Sequence, residues 1–206
     1  MGFSSLLDIL GSTVIGGMLL LILLRMNDNA IQNNYAYGGE LIVQEGLVEA
    51  VSIIEYDFRK IGYCQDYTKI PLPSKSILSA DSNSIEFLTD LAVPGTFPQG
   101  DGIVDTLRYQ LGPVSELTAT VNPRDRMLYR IVNNETPRGS NIGITEFKLT
   151  YFDAIGDTLT FPITTPSLIY TLQIDIKIEN LAAYDEQYSD ATWRQVRLAA
   201  RNLRNR

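Results

Sequence analysis

The sequence predicts an α+β protein in which one long N-terminal helix covers one face of an antiparallel β-sheet. Three observations support this fold: an apolar run at the start, an amphipathic helical repeat after it, and several later segments in which apolar and polar residues alternate. The chain has 206 residues, room for one anchor and one globular domain of about 140 residues. We therefore expect an anchor over residues 1–25, an amphipathic helical half over 26–63 and a sheet domain over 64–206.

The first part of the chain has the composition of a membrane span. Between residues 3 and 24 the only charged side chain is that of Asp8. As a helix this stretch would be about 33 Å long, and the apolar core of a bilayer is roughly 30 Å thick. It lacks the basic start of a secretory signal peptide and continues into further helical sequence. We therefore expect a retained, single-pass anchor.

The second part, residues 26–63, follows the 3.6-residue period of an amphipathic helix. Its apolar side chains recur at steps of four and three, so they would form one stripe that packs on the sheet. The acidic side chains lie off this stripe and are expected on a solvated face, and Gly62 is expected to end the helix. The stripe is Leu47, Val51, Ile54, Phe58 and Ile61, and the acidic set is Glu40, Glu45, Glu49, Glu55 and Asp57.

The third part, residues 64–206, contains the alternation that predicts β-strands. The longest pattern, residues 168–179, has its aliphatic side chains on one face and polar ones on the other, so we expect one buried and one wet sheet face. The buried face would pack against the helical stripe and complete a two-layer domain. Alternating segments are 85–87, 107–111, 127–131, 147–151 and 168–179.

Details of these strands give further expectations. In residues 127–131, Met127, Tyr129 and Ile131 lie opposite Arg130, and this strand is expected to pair with residues 107–111. A turn signal at 153–157 predicts a hairpin. The chain end at 194–201 fits either a last strand or a short helix. Its arginines lack an accompanying aromatic series, which favours a charged sheet edge over a nucleic-acid site.

Composition excludes several classes of function. The chain contains no histidine, which removes the usual general base, the usual zinc ligand and every nucleophile pair that needs histidine. Its single cysteine, Cys64, can form no internal disulfide and is expected to be a small buried residue. The formal net charge of −7 gives no reason to expect nucleic acid as the main partner. We expect a protein without enzymatic activity or cofactor.

Four segments resemble the W-type minor pilins and J-type minor pseudopilins of the type IV pilin-like superfamily. Residues 54–63, which read Ile-Glu-Tyr-Asp-Phe-Arg-Lys-Ile-Gly-Tyr, are similar to the end of that family's long helix. The pieces occur in the order of the family and span nearly the whole chain. The others are 107–111 with 128–130, 146–153 with Gly156, and 201–203.

This resemblance implies a non-enzymatic structural subunit of a type IV pilus or of a type II secretion-like filament. Such a subunit is held in the cytoplasmic membrane with its sheet domain outside the cytoplasm, and it then acts in assembly initiation at or near the filament tip. Its partners would be other pilin-like subunits and the membrane assembly platform, with no small-molecule substrate. The alternative is a membrane-anchored extracytoplasmic binding or adhesion domain that does not polymerise.

The resemblance also assigns roles to residues in the anchor. Gly2 and Phe3 resemble the family's processing junction, and Leu7 stands where the family has a glutamate, with Asp8 one residue later. In that family the acid is thought to neutralise the N-terminal amine of a neighbouring subunit. A carboxylate within an apolar span is costly and usually has a partner. The alternative places Asp8 at the headgroup level or near the positive end of the helix dipole.

Two further patterns concern helix packing and metal ions. Ser12 and Gly16 have the spacing of small residues that lets two helices approach closely in lipid or in a filament core. Acidic loop residues such as Asp81, Asp101 and Asp105 do not follow a calcium-loop pattern and fit turns better. The sequence therefore predicts an assembly surface on the helix and no metal site.

Overall fold

The computed structural model describes residues 2–92, 100–180, 188–198 and 202, with side chains in the last strand described as far as Gln195. Within these ranges the chain forms one long α-helix and one antiparallel sheet of seven strands, which confirms the α+β class. Single-turn 3₁₀ helices lie at Tyr67–Lys69, Pro73–Lys75, Val114–Leu117 and Pro166–Leu168. The main elements are α1 (Gly2–Arg59), β1 (Ile77–Ala80), β2 (Ser84–Thr89), β3 (Asp105–Leu111), β4 (Arg126–Val132), β5 (Arg138–Phe152), β6 (Thr171–Glu179) and β7 (Asp190–Leu198).

The strands follow one another across the sheet in chain order, and each pairs antiparallel with the next. The sheet is strongly curled, because the turn between β1 and β2 reaches β5. The N–H of Leu149 donates to the carbonyl of Ser82 at 2.8 Å, and the Tyr151 hydroxyl donates to the carbonyl of Asp81 at 3.0 Å. In a flat sheet β2 and β5 would lie about 14 Å apart, since neighbouring strands are spaced by roughly 4.8 Å. The curl encloses the inner face.

Helix α1 has an exposed first half and a packed second half. Every described residue from 2 to 38 is exposed, and Gly39 is the first buried one. At 1.5 Å per residue the exposed half extends about 55 Å from the domain. In the packed half, Leu47, Ile54 and Phe58 are buried, Val51 packs partly buried against the core, and Ile61 is buried just after the helix.

The packed half meets the inner sheet face through close aromatic contacts. Phe58 is fully buried, and its ring lies edge-on to those of Phe87 and Tyr109 at centroid distances of 5.6 and 5.4 Å. Two positions near this contact require glycine, one for close packing and one for its backbone conformation. A Cβ at Gly39 would lie 2.5 Å from Nδ2 of Asn180, and Gly62 has φ of +72°, the left-handed conformation that follows a helix end.

The structure corrects the expected faces of two strands. The inner face of β4 carries Arg130, because the cross-strand partner of Arg130 is the buried Tyr109. It does not carry Met127, Tyr129 and Ile131. Cross-strand partners share a face, so the apolar trio points outward. The outer face of β6 is also not uniformly wet, since Asp175 and Glu179 are 7 and 5% exposed.

Two boundaries also differ from expectation. Strand β6 begins at Thr171, and Leu168 lies 58% exposed in a 3₁₀ turn opened by Pro166, whose ring fixes the local φ. The hairpin after β5 is reduced to one isolated bridge between Phe152 and Thr158. Residues 190–198 form a strand, so the segment 194–201 is a strand, β7, as far as residue 198, and residues 199–201 lie outside the described ranges.

Substitution of Phe58 by alanine should destabilise the fold by about 3–5 kcal/mol, because it removes a fully buried aromatic ring and leaves a cavity. Leu41→Ala is a matched control on the same helix, since Leu41 is 66% exposed, and it should change stability by about 0.5 kcal/mol or less. Urea unfolding of the full chain, followed by fluorescence of the single tryptophan, Trp193, measures both. Equal effects of the two substitutions would contradict the packing described here.

Candidate functional site

Residues 3–24, in the exposed half of α1, form an apolar surface that nothing in the described chain covers. Phe3 is 80% exposed, and the apolar residues up to Leu24 are all more than half exposed. Contiguous apolar surface of this extent needs lipid or another protein to cover it. Among the described residues this is the single helix long and apolar enough to cross a membrane, which is consistent with single-pass anchoring.

Two hydroxyl groups in this surface are satisfied within the helix. The Ser12 hydroxyl donates to the carbonyl of Asp8 at 2.7 Å, and the Thr13 hydroxyl donates to that of Ile9 at 2.7 Å. These bonds remove the need for water at the two hydroxyls. The Asp8 carboxylate, by contrast, makes no hydrogen bond or ion pair with any described residue. It is the unneutralised charge of residues 3–24.

The other residues that the sequence suggested for processing and helix packing lie on the same exposed half. The helix begins at Gly2, and Phe3 projects from its first turn. A Cβ added at Gly16 would meet no atom within 4 Å, so the helix surface there is open to a neighbour. The structure thus separates Gly2, Phe3, Asp8, Ser12 and Gly16 from the sheet domain, and it places the packing stripe at the opposite end of α1.

A buried ion pair joins the packed end of α1 to the sheet. Asp57 is 2% exposed, so its expected place on a solvated helix face is wrong. Its carboxylate accepts a hydrogen bond from the Tyr109 hydroxyl at 2.5 Å and two from the Arg130 guanidinium at 2.7 and 3.4 Å. Two strands therefore supply both donors that a buried carboxylate requires.

The protonation states of this cluster suit the contacts. Burial raises the pKa of Tyr109 well above its usual value, and the nearby Asp57 carboxylate adds to the shift, so the hydroxyl keeps its proton and donates it. Burial alone would lower the pKa of Arg130, but the hydrogen bonds and charge of Asp57 outweigh it and the pKa rises. The cluster is therefore one ion pair with a neutral phenol.

A signal for this cluster exists in the sequence. Asp57 continues the three-and-four spacing of Leu47, Ala50 and Ile54 and so lies within the buried arc of the helix. A carboxylate in that arc requires a cationic side chain on the inner face of the sheet. In β4 the inner face is the one that carries Leu128, which is buried, and Arg130 falls on it.

A second buried carboxylate ties the segment after the helix to the loop before β3. Asp90 is fully buried, and Lys60 donates to its backbone carbonyl at 2.9 Å. Three backbone N–H groups surround its side chain, which holds two loops on one anion. The donors are those of Gln65, Asp101 and Gly102, at 2.9, 3.0 and 2.9 Å.

Cys64 lies beside the Asp90 carboxylate and is buried, as the sequence predicts. Burial raises the pKa of its thiol, and the Asp90 carboxylate contributes to the rise, so the thiolate is disfavoured. Within the described residues no group of three or more histidine, cysteine, aspartate or glutamate side chains is placed to hold a metal ion. Asp101 instead accepts a hydrogen bond from the N–H of Ile103 in its own loop, at 2.9 Å.

The fold and these contacts define an α+β protein with an exposed apolar helical half and an ionically fastened sheet domain. No protein-family model and no curated protein matches the chain. Its function is therefore inferred from the helix, the ion pair and the surfaces around them.

Breaking the Asp57–Arg130 pair should destabilise the domain. Arg130→Met leaves a buried carboxylate with Tyr109 alone and should cost about 3 kcal/mol, the low end for a broken buried pair, because Arg130 keeps some solvent access. Asp57→Asn combined with Arg130→Met should cost less, since no charge is left buried. Urea unfolding of the full chain measures each variant.

The matched control is Arg108→Met on the neighbouring strand. Arg108 pairs with Glu86 at 3.8 Å on the outer face, where their side chains are 44 and 23% exposed, so about 0.5 kcal/mol or less is expected. A double variant less stable than Arg130→Met would show that the pair is not the cause.

Glu179 should contribute to the pH dependence of stability. Burial acts to raise its pKa, but hydrogen bonds from Asn122, Lys177 and Arg124 outweigh burial, and the pKa is lowered from 4.5. The unfolded chain then takes up this proton first as the pH falls, so the stabilisation is present above about pH 4.5 and is lost below it. Glu179→Gln should unfold at a urea midpoint that falls less between about pH 6 and about pH 3 than that of the wild type.

Glu135→Gln is the control for this experiment, because Glu135 is exposed and its side chain makes no ion pair with a described residue. Its midpoint should follow the wild type over the whole range. A Glu179→Gln curve parallel to the wild type would contradict the assigned role.

Proposed function

We propose that this chain is a minor pilin-like or pseudopilin-like structural subunit. It is anchored in the cytoplasmic membrane by residues 1–25, carries its sheet domain outside the cytoplasm, and enters a filament at or near the tip. The observation that carries this proposal is that one uninterrupted helix is both the exposed apolar span and the cover of the sheet. Its partners are other pilin-like subunits and the membrane assembly platform.

The dimensions of α1 support this role. The exposed half is about 55 Å long, and about 30 Å of it suffices to cross the apolar core of a bilayer. Residues 26–38, about 20 Å of helix, then hold the sheet domain away from the membrane surface. A subunit that moves from a bilayer into a filament keeps this geometry without refolding.

The helix–sheet junction supports the same role. Phe58 packs between the rings of Phe87 and Tyr109, and Asp57 pairs with Arg130 beside it. These contacts fasten the anchor to the domain, so a force applied to either part is transmitted to the other. A structural subunit that is extracted from lipid requires such a connection.

Asp8 supplies a charge that a neighbouring subunit can satisfy. Its carboxylate is unpaired within the described chain, and the open surface at Gly16 lies two turns further along the helix. In a filament, pairing of this carboxylate with a neighbour's N-terminal amine removes the cost of an isolated charge in apolar surroundings. Close packing at Ser12 and Gly16 brings the two helices within reach.

Asp8→Asn should reduce incorporation into filaments about tenfold, the change that about 1.4 kcal/mol produces. The side chain lies far from the sheet domain, so the amount of protein in the membrane and its urea midpoint should not change. The measurement is the ratio of subunit in sheared filaments to subunit in membranes, in cells in which the variant replaces the wild-type chain.

Asp8→Glu is the matched control, because it keeps the charge and should keep most of the incorporation. Equal incorporation of all three proteins would show that Asp8 is only an interfacial or helix-opening residue. A wild-type chain absent from filaments altogether would favour the non-polymerising, membrane-anchored binding domain.

A further inference from the structure

An open cleft lies beside the helix–sheet junction, between the packed end of α1 and the first half of β5. It has a volume of about 280 Å³, and its inner end touches Tyr109 and Arg130. This space is close to the lower limit for ligand sites and suits one side chain with its flanking backbone. The apolar walls are formed by Ala50, Ile53, Ile54, Leu128, Ile142 and Ile144.

The shape of β5 explains why the cleft is open. Its second half pairs with β6 from Ile144 onward, whereas its first half pairs with β4 alone among the described strands. The two halves meet at Gly143, which has φ of +77°. A Cβ there would lie 2.1 Å from the Glu179 carbonyl oxygen, so the bend depends on glycine. The first half therefore diverges from β6 while it stays paired with β4, and it forms a wall of the cleft opposite α1.

The rim of the cleft carries one unpaired charge of each sign. Arg138 and Arg130 are direct cross-strand partners, an arrangement that is unfavourable for like charges. Asp57 neutralises Arg130, but Arg138 makes no hydrogen bond or ion pair with any described residue. Glu49, on the helical side of the rim, is likewise exposed and unpaired within the described chain. The rim thus offers a cation on the strand and an anion on the helix.

We propose that this cleft is a docking site for a polypeptide segment of a partner protein. The segment inserts one aliphatic side chain between α1 and β5, pairs an acidic residue with Arg138, and places a basic residue against Glu49. Apolar burial supplies the affinity, and the two rim charges set the direction of the segment.

Charge and position favour a polypeptide over a lipid. An alkyl carboxylate has a single negative charge, which satisfies Arg138 but leaves Glu49 beside apolar atoms. The cleft is also remote from the bilayer: Ile53 lies 28 residues after Arg25, about 42 Å along the helix. This second point rests on the proposed anchoring, whereas the charge pattern does not.

The test uses the full chain in nanodiscs, labelled with ¹³C at the isoleucine δ1 methyl groups. Ile53, Ile54, Ile142 and Ile144 report on the cleft, while Ile85 and Ile174, buried elsewhere in the core, serve as internal controls. Four probes are used. Two are hexapeptides in which a central leucine stands between an aspartate and a lysine, with the aspartate first in one peptide and the lysine first in the other. The third hexapeptide has serine at both charged positions, and the fourth probe is octanoate. One charged peptide should shift the cleft methyl signals and bind about tenfold more tightly than the serine peptide.

Charge reversal then tests the rim. Arg138→Glu should weaken the preferred peptide at least about tenfold. Lys148→Glu, at an exposed position on the outer face of the same strand, should leave binding within about twofold. Arg138→Glu combined with Glu49→Lys inverts the rim and should transfer the preference to the peptide of opposite order.

Several results would overturn this proposal. The first is that no peptide shifts the cleft methyl signals at about 1 mM. The second is that the Arg138→Glu variant binds the peptide as tightly as the wild type. The third is that octanoate binds more tightly than the peptides, which would assign the cleft to amphiphiles. None of them depends on filament incorporation, so failure here and failure of the proposed subunit role are distinguishable.

Discussion

The need to pair one buried carboxylate constrains much of this domain. Asp57 lies in the buried arc of α1, where an unpaired charge would cost several kcal/mol. Its two donors, Tyr109 and Arg130, are direct cross-strand partners on β3 and β4. A slip of one residue between these strands would move a donor to the outer face. The ion pair thus sets the rotation of the helix and the register of the strands together.

The same pair governs what the exposed half of the helix can do. Because Asp57 and Phe58 fasten α1 to the sheet, residues 2–38 extend from the domain in a defined direction. The apolar surface, the unpaired Asp8 carboxylate and the open surface at Gly16 are then presented together to lipid or to neighbouring helices. The proposed anchoring and assembly would depend on that half, and their connection to the domain would depend on the junction.

The cleft beside the junction follows from the same local arrangement. Asp57 balances only one of two opposed arginines, so Arg138 keeps its charge at the surface. The bend at Gly143 directs the segment that carries Arg138 away from β6, while this segment stays paired with β4. The outer face of the sheet has a different arrangement of charges. There Glu179 and Asp175 are buried, and cations from Arg124, Lys177 and Arg194 cover them. Inner and outer faces are both fastened by ion pairs.

The features that depend on short-range periodicity can be predicted from the sequence alone. The 3.6-residue repeat identifies α1 and its apolar stripe, the two-residue repeat identifies the main strands, and the apolar run locates the exposed half that carries Asp8, Ser12 and Gly16. Which charges are buried depends instead on contacts between residues that are distant in the sequence. Asp57 finds Arg130 across 73 residues and Glu179 finds Arg124 across 55. Such pairs depend on the register of the whole sheet. The helical spacing places Asp57 in the buried arc, but it does not identify which of the later cations reaches it.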